Sequence, residues 1–188
     1  MFPTDDPRPE TAGATVWRRV AFVVLLGYLC TMLILLGSLL LETFMVYPNI
    51  FTDAPQRFGV SLEFMSVTGP AQYFRPFGMA AFAFGLVGMV VVWPWRTARW
   101  WAVGSAAAIA LEGIDSALFF WPRNQILFVE GASVHSVEVL RQASAEFLAW
   151  HWSRVLLNAA GAAFILVAFL RFYRSTVRSA ADRQRVPA

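Results

Sequence analysis

His151, Arg154 and Asn158 are spaced i, i+3 and i+7, so an α-helix would carry them on one face. A neutral imidazole can take a proton, a guanidinium holds a fixed positive charge, and an amide offers hydrogen bonds. Together such groups can abstract a proton and stabilise the oxyanion that remains. Two further polar stripes interrupt apolar runs. Tyr28, Thr31, Leu35, Ser38 and Glu42 form one; Glu112, Asp115 and Ser116 form the other, continued by Ser105 and Ala108. In this arrangement His151 is the candidate base and Arg154 the cation for the oxyanion. Glu42 or Glu112 would hold the imidazole in one tautomer. Asn158, Glu112 and Asp115 are candidates to line the substrate, with Tyr28 and Trp150 among the rings that would contact it.

Each residue also has a plainer reading. Glu42 can lie in the headgroup zone, and His151 can sit in an interfacial belt beside Trp150 and Trp152. Glu112 and Asp115 can form an ion pair with Arg154 that locks helices. Asn158 can bond a neighbouring helix, and His135 is expected in solvent. Glu42, Glu112, Asp115 and His151 have the donor chemistry for iron or manganese. Arg154 places a fixed positive charge where such a cation would sit, so no metal is expected.

The positioning elements follow from composition. Hydrophobic residues make up 58% of the 188 residues and charged residues only 14%, against about 25% charged in soluble chains. Mean hydropathy is +0.56. Such a chain needs lipid as part of its solvent. Four apolar runs are each long enough to cross a bilayer, at residues 20–41, 74–95, 100–121 and 148–170. The expected fold is all-α: a four-transmembrane-helix bundle over residues 16–172. Residues 1–15 read as a disordered tail and 173–188 as a basic tail. Pro122 is expected to stop the third span; 43–73, which holds Pro48, Pro55 and Pro70, and 122–147 are read as long connections. Val134, Val137, Leu140, Ala143 and Phe147 recur at helical spacing in the second, which predicts an extra amphipathic helix on the membrane surface. Small residues Gly78, Ala81, Gly85 and Gly88 would let a neighbour approach the second span.

All 15 basic residues are Arg. Ten flank the spans on one side; Arg57, Arg123 and Arg141 lie in the two long connections and Arg75 at the edge of the first, with Arg154 inside a span. This asymmetry places both termini in the cytoplasm. It also accounts for the basic balance without nucleic acid. The lone Cys30 excludes an intramolecular disulfide.

The runs Gly37–Asn49 (GSLLLETFMVYPN), Arg75-Pro76-Phe77, Phe119-Phe120-Trp121-Pro122-Arg123-Asn124 and Trp150-His151-Trp152-Ser153-Arg154 resemble a family of small four-span membrane proteins related to anthrone oxygenases. The resemblance covers nearly the whole chain except the tails. It implies an oxygenase that converts an anthrone to an anthraquinone with molecular oxygen and no added cofactor; the absence of Lys, read as a GC-rich bacterial genome, places it in a bacterial inner membrane. The partners expected are then the bilayer, a hydrophobic aromatic small molecule and, as an open option, further copies of the chain. A non-catalytic membrane subunit of a larger complex is the alternative. A transporter is disfavoured because no broken helix marks a substrate site.

Overall fold

A computed structural model describes residues 12–184; the remaining parts of both expected tails lie outside the described residues. Helix α1 (Ala12–Leu41) continues through a π-helical turn (Glu42–Val46) into α2 (Tyr47–Phe51). A short α3 (Phe58–Phe64) leads to α4 (Pro70–Val92), and a tight turn at 93–95 leads to α5 (Arg96–Asp115). A π-helical turn (Ser116–Phe120), α6 (Trp121–Asn124), a second π segment (Gln125–Glu130) and a 3-10 turn (Gly131–Ser133) extend α5. Helix α7 (Val137–Gln184) closes the chain. The described residues contain no strand.

The four long helices form a ring in which α1 contacts α4 and α7, and α5 contacts the same two. By length and composition all four can cross a membrane. The outer surface of the bundle is apolar, with Val23, Leu33, Leu86, Val90, Leu111 and Leu156 exposed. That surface is suited to acyl chains, and the molecule is an integral membrane protein with an all-α, four-helix fold.

Three sequence expectations need correction. Pro122 does not end its helix, and the first helix likewise runs on through Pro48, inside the expected connection. Each proline falls in the first turn of a new α-helical segment, just after a π turn. There the missing N–H is not needed, and the wider turn removes the clash with the preceding carbonyl. Second, the amphipathic segment is not a separate helix. It forms the first turns of the 48-residue α7, with Val134 outside the helix. At about 1.5 Å per residue that rod is more than twice as long as a hydrocarbon core of about 30 Å, so it projects beyond the bilayer. Leu140, Ala143 and Phe147 bury themselves there against Tyr47, Ile50, Phe58, Phe120 and Leu127. Third, residues 12–15 and 173–184, read as tails, are helical.

The bundle therefore has two apolar cores. One runs through the membrane part from Ala21 and Leu25 to Leu35 on α1, with Val92, Ile109, Ile165 and Phe172 from its neighbours. The other is the aromatic cap just described. In the membrane core α1, α5 and α7 meet tightly at Gly161. A Cβ there would lie 2.7 Å from Met32 Cε and 3.5 Å from Ala108 Cβ. Met32 can swing its terminal methyl away, so Gly161→Ala should be tolerated. Gly161→Leu is expected to destabilise by about 1–3 kcal/mol through overpacking. A melting temperature in detergent equal to wild type for the Leu variant would show that the helices separate there at no cost. Of the glycines on α4, Gly85 and Gly88 do face α1, next to Tyr28, while a Cβ at Gly78 would meet nothing within 4 Å.

Candidate functional site

Between the two cores lies a layer of buried polar groups. Glu42, Glu112, His151 and Asn158 are all at most 6% exposed, although each is ionisable or strongly polar. Three helices supply them: the π turn after α1, the end of α5, and α7. The stripes read from the sequence do point inward along the bundle, since Tyr28, Leu35, Ser105 and Ala108 are buried as well.

The π turn explains the first contact. Glu42 and Tyr47 are five residues apart, which would separate them on an α-helix. A π turn closes i to i+5 and stacks them on one face. The Tyr47 hydroxyl donates to Glu42 Oε2 at 2.9 Å. On α5 and α7, Asn158 Nδ2 donates to Glu112 Oε2 at 3.0 Å.

His151 is held by Thr43. Thr43 Oγ1 lies 2.7 Å from the Leu39 carbonyl and 2.8 Å from His151 Nε2. A hydroxyl has one proton and a carbonyl only accepts. The assignment that satisfies both bonds has Thr43 donating to Leu39 and accepting from Nε2–H. Nδ1 then carries the free lone pair of the neutral imidazole, and it has no hydrogen-bond partner. The ring stands edge-on to Tyr47, with centroids 4.7 Å apart. Thus neither Glu42 nor Glu112 orients His151, as the sequence suggested; a threonine does.

Arg154, one turn along α7, makes no ion pair with a carboxylate among the described residues. The plainer reading, an ion pair with Glu112 or Asp115, is therefore not what holds it. Its guanidinium instead sits over Phe120 at 4.9 Å and Phe74 at 5.5 Å. Its charge reaches Glu42, Tyr47, Glu112 and His151. Its Nε has no hydrogen-bond partner, and neither has Asn158 Oδ1. Arg154, His151 and Asn158 thus each keep one buried polar atom uncommitted, on one face of one helix. Uncommitted buried polar atoms are uncommon and call for an explanation.

Three of the expected site residues fall elsewhere. Asp115 accepts a bond from Ser153 at 2.5 Å and clasps α5 to α7 at the side of the layer. Trp150 is 51% exposed and packs on Phe119, facing the bundle's surroundings. Tyr28 is fully buried, but it precedes Glu42 by fourteen residues, about 21 Å of helix, in the membrane core. There it bonds Ser105 at 2.9 Å. His135, expected in solvent, pairs with Glu130 at 2.5 Å. Thr43, Tyr47 and Phe120 join the layer unforeseen. The Glu-x4-Tyr-Pro spacing at 42–48 was the available signal for Tyr47, had a π turn been considered. No three His, Cys, Asp or Glu side chains among the described residues are grouped closely enough to share a metal ion.

Chemically, the layer offers a bare imidazole nitrogen, a guanidinium with a free N–H, and an amide oxygen. Above it stand the rings of Tyr47, Phe51, Phe120 and Phe147, packed edge to face. Comparison with known family models, curated proteins and solved structures finds no match, so the resemblance to the anthrone oxygenases rests on the quoted motifs alone.

Proposed function

We propose that this chain is a membrane-embedded oxygenase that oxidises a hydrophobic aromatic, anthrone-like substrate with molecular oxygen. The observation that carries it is the uncommitted trio on α7: His151 Nδ1, Arg154 Nε and Asn158 Oδ1. His151 Nδ1 takes a proton from the acidic ring methylene. The enolate oxygen that forms is met by the Arg154 guanidinium, whose charge no carboxylate directly cancels. The electron-rich ring carbon adds O2, and the hydroperoxide loses water to leave a carbonyl. One methylene and one O2 give one carbonyl and one water, so the balance needs no other oxidant. The aromatic cap suits flat rings, which stack edge to face or offset. In this reading the chain sits in a bacterial inner membrane with its Arg-rich end in the cytoplasm.

The second reading is a non-catalytic membrane subunit. It draws on two bonds that join α5 to α7, Asn158 to Glu112 and Ser153 to Asp115. The two readings separate in an oxygen electrode. Membranes containing the chain should consume one O2 per anthrone added and develop quinone absorbance. Consumption no faster than in membranes lacking the chain would leave the subunit reading. Co-purification of a larger complex would then be its positive sign.

A further inference from the structure

Towards the end of the bundle opposite the polar layer the spans themselves carry only Arg, and the nearest acids in sequence are Glu10 before α1 and Asp182 near the end of α7. Residues 12–41, 64–111 and 147–181 contain no Asp or Glu. Arg18, Arg19, Arg96, Arg99, Arg171 and Arg174 all lie at that end. Five other acids, Asp53, Glu63, Glu130, Glu138 and Glu146, lie at the far end of the molecule.

The turn between α4 and α5 is the most specific part of this surface. The Arg99 guanidinium lies 5.2 Å from the Trp93 ring and 5.4 Å from the Trp100 ring. Both rings are at least half exposed, so they face the surroundings at interface height. Arg99 Nε is buried and has no hydrogen-bond partner. Arg96, one turn away on the same helix face, is exposed. Helix α5 begins here without a capping side chain, so its first N–H groups add partial positive charge at the same spot. A neighbouring guanidinium, Arg171, lies over Trp101 at 5.3 Å. Trp17 Nε1 bonds the Val91 carbonyl at 3.1 Å and ties α1 to the same corner.

We infer that Arg96 and Arg99, flanked by Trp93 and Trp100, bind the phosphodiester headgroup of an anionic phospholipid. A phosphodiester accepts the fork of a guanidinium, while its acyl chains run along exposed indole faces and the apolar wall of α4 and α5. Free phosphate would satisfy the guanidinium but leave the two indoles without a partner. A basic surface beside membrane helices, with Arg outnumbering acids at that end, is the arrangement that selects anionic over zwitterionic lipid. This inference is independent of the oxygenase proposal.

The test uses the full chain in detergent. Native mass spectrometry would follow retention of phosphatidylglycerol, phosphatidylcholine and, separately, inorganic phosphate as a competitor. Phosphatidylglycerol should be retained in preference. Each Arg replaced, in Arg96→Gln and Arg99→Gln, should weaken it about fivefold, while Arg141→Gln at the far end should leave it unchanged. Added salt should release phosphatidylglycerol from the wild-type chain and leave phosphatidylcholine unaffected, a readout that needs no variant to fold. Equal retention of both lipids, loss of neither with salt, or displacement by inorganic phosphate at similar concentration would each overturn the assignment.

Discussion

His151→Ala is expected to lower turnover of an anthrone-like substrate by about 10²–10⁴-fold, the contribution typical of a positioned general base. The variant removes the bond of Nε2 to Thr43 and the edge-on contact with Tyr47 and leaves a cavity, at a cost of about 2–5 kcal/mol, so a melting temperature in detergent should accompany the rate. Added imidazole should restore part of the rate if the lost function is proton transfer. Structural damage would not respond to it. Thr43 supplies a graded control. Thr43→Val removes the acceptor that keeps the proton on Nε2, so turnover should fall, though less than with His151→Ala. Thr43→Ser retains the hydroxyl and should keep the rate. Oxygen uptake at the wild-type rate in His151→Ala would remove the base from the mechanism.

The sequence carried the coarse fold because membrane burial is written in uninterrupted apolar runs. Residues 20–41 and 148–170 could be read as spans without any tertiary information, and the Arg asymmetry marked one end. It also carried the inward faces: Tyr28, Leu35 and Glu42 on α1, Ser105 and Glu112 on α5, His151 and Asn158 on α7 are all buried. What it hid was the geometry beyond the first turn past each span. Counting at 3.6 residues per turn assumes an α-helix throughout. The π turns at Glu42–Val46 and Ser116–Phe120 each shift the register, so Tyr47 swings onto the face of Glu42, and Phe120 becomes buried near Arg154. Pro122 looked like a stop because the effect of a proline depends on whether the preceding turn has room for the ring. Trp150 and His151 are adjacent in sequence, yet about 100° apart around a helix. One meets the surroundings and the other the layer. A pattern of types could not say that Arg154 would choose aromatic rings over carboxylates. That choice depends on side-chain reach, which is set by three helices packing at once.

Arg154 is where chemistry and stability separate most clearly. Arg154→Met is expected to destabilise the fold by about 2–4 kcal/mol, because it leaves Glu42 and Glu112 buried with no nearby positive charge. The cost should fall at or below the range for breaking a buried ion pair, since the guanidinium acts through space rather than in direct contact. The melting temperature in detergent reports it. Converting both acids to amides in the same chain, with Glu42→Gln and Glu112→Gln, removes the uncompensated charge. The triple variant should recover most of the stability. Tyr47 can still donate to an amide oxygen at position 42, and Asn158 to one at 112. If Arg154 stabilises an enolate, turnover should stay lost in that restored fold, by about 10²–10³-fold, as when an oxyanion donor is removed. Arg154→Lys keeps the charge but not the planar fork or the flat contact with Phe74 and Phe120. It should hold much of the stability while recovering only part of the rate. A helix-locking role for Arg154 predicts the opposite coupling, with activity or partner binding returning whenever the melting temperature does. Full turnover in the stabilised triple variant would therefore assign Arg154 to packing alone and leave His151 without a cation to hold the charge it creates.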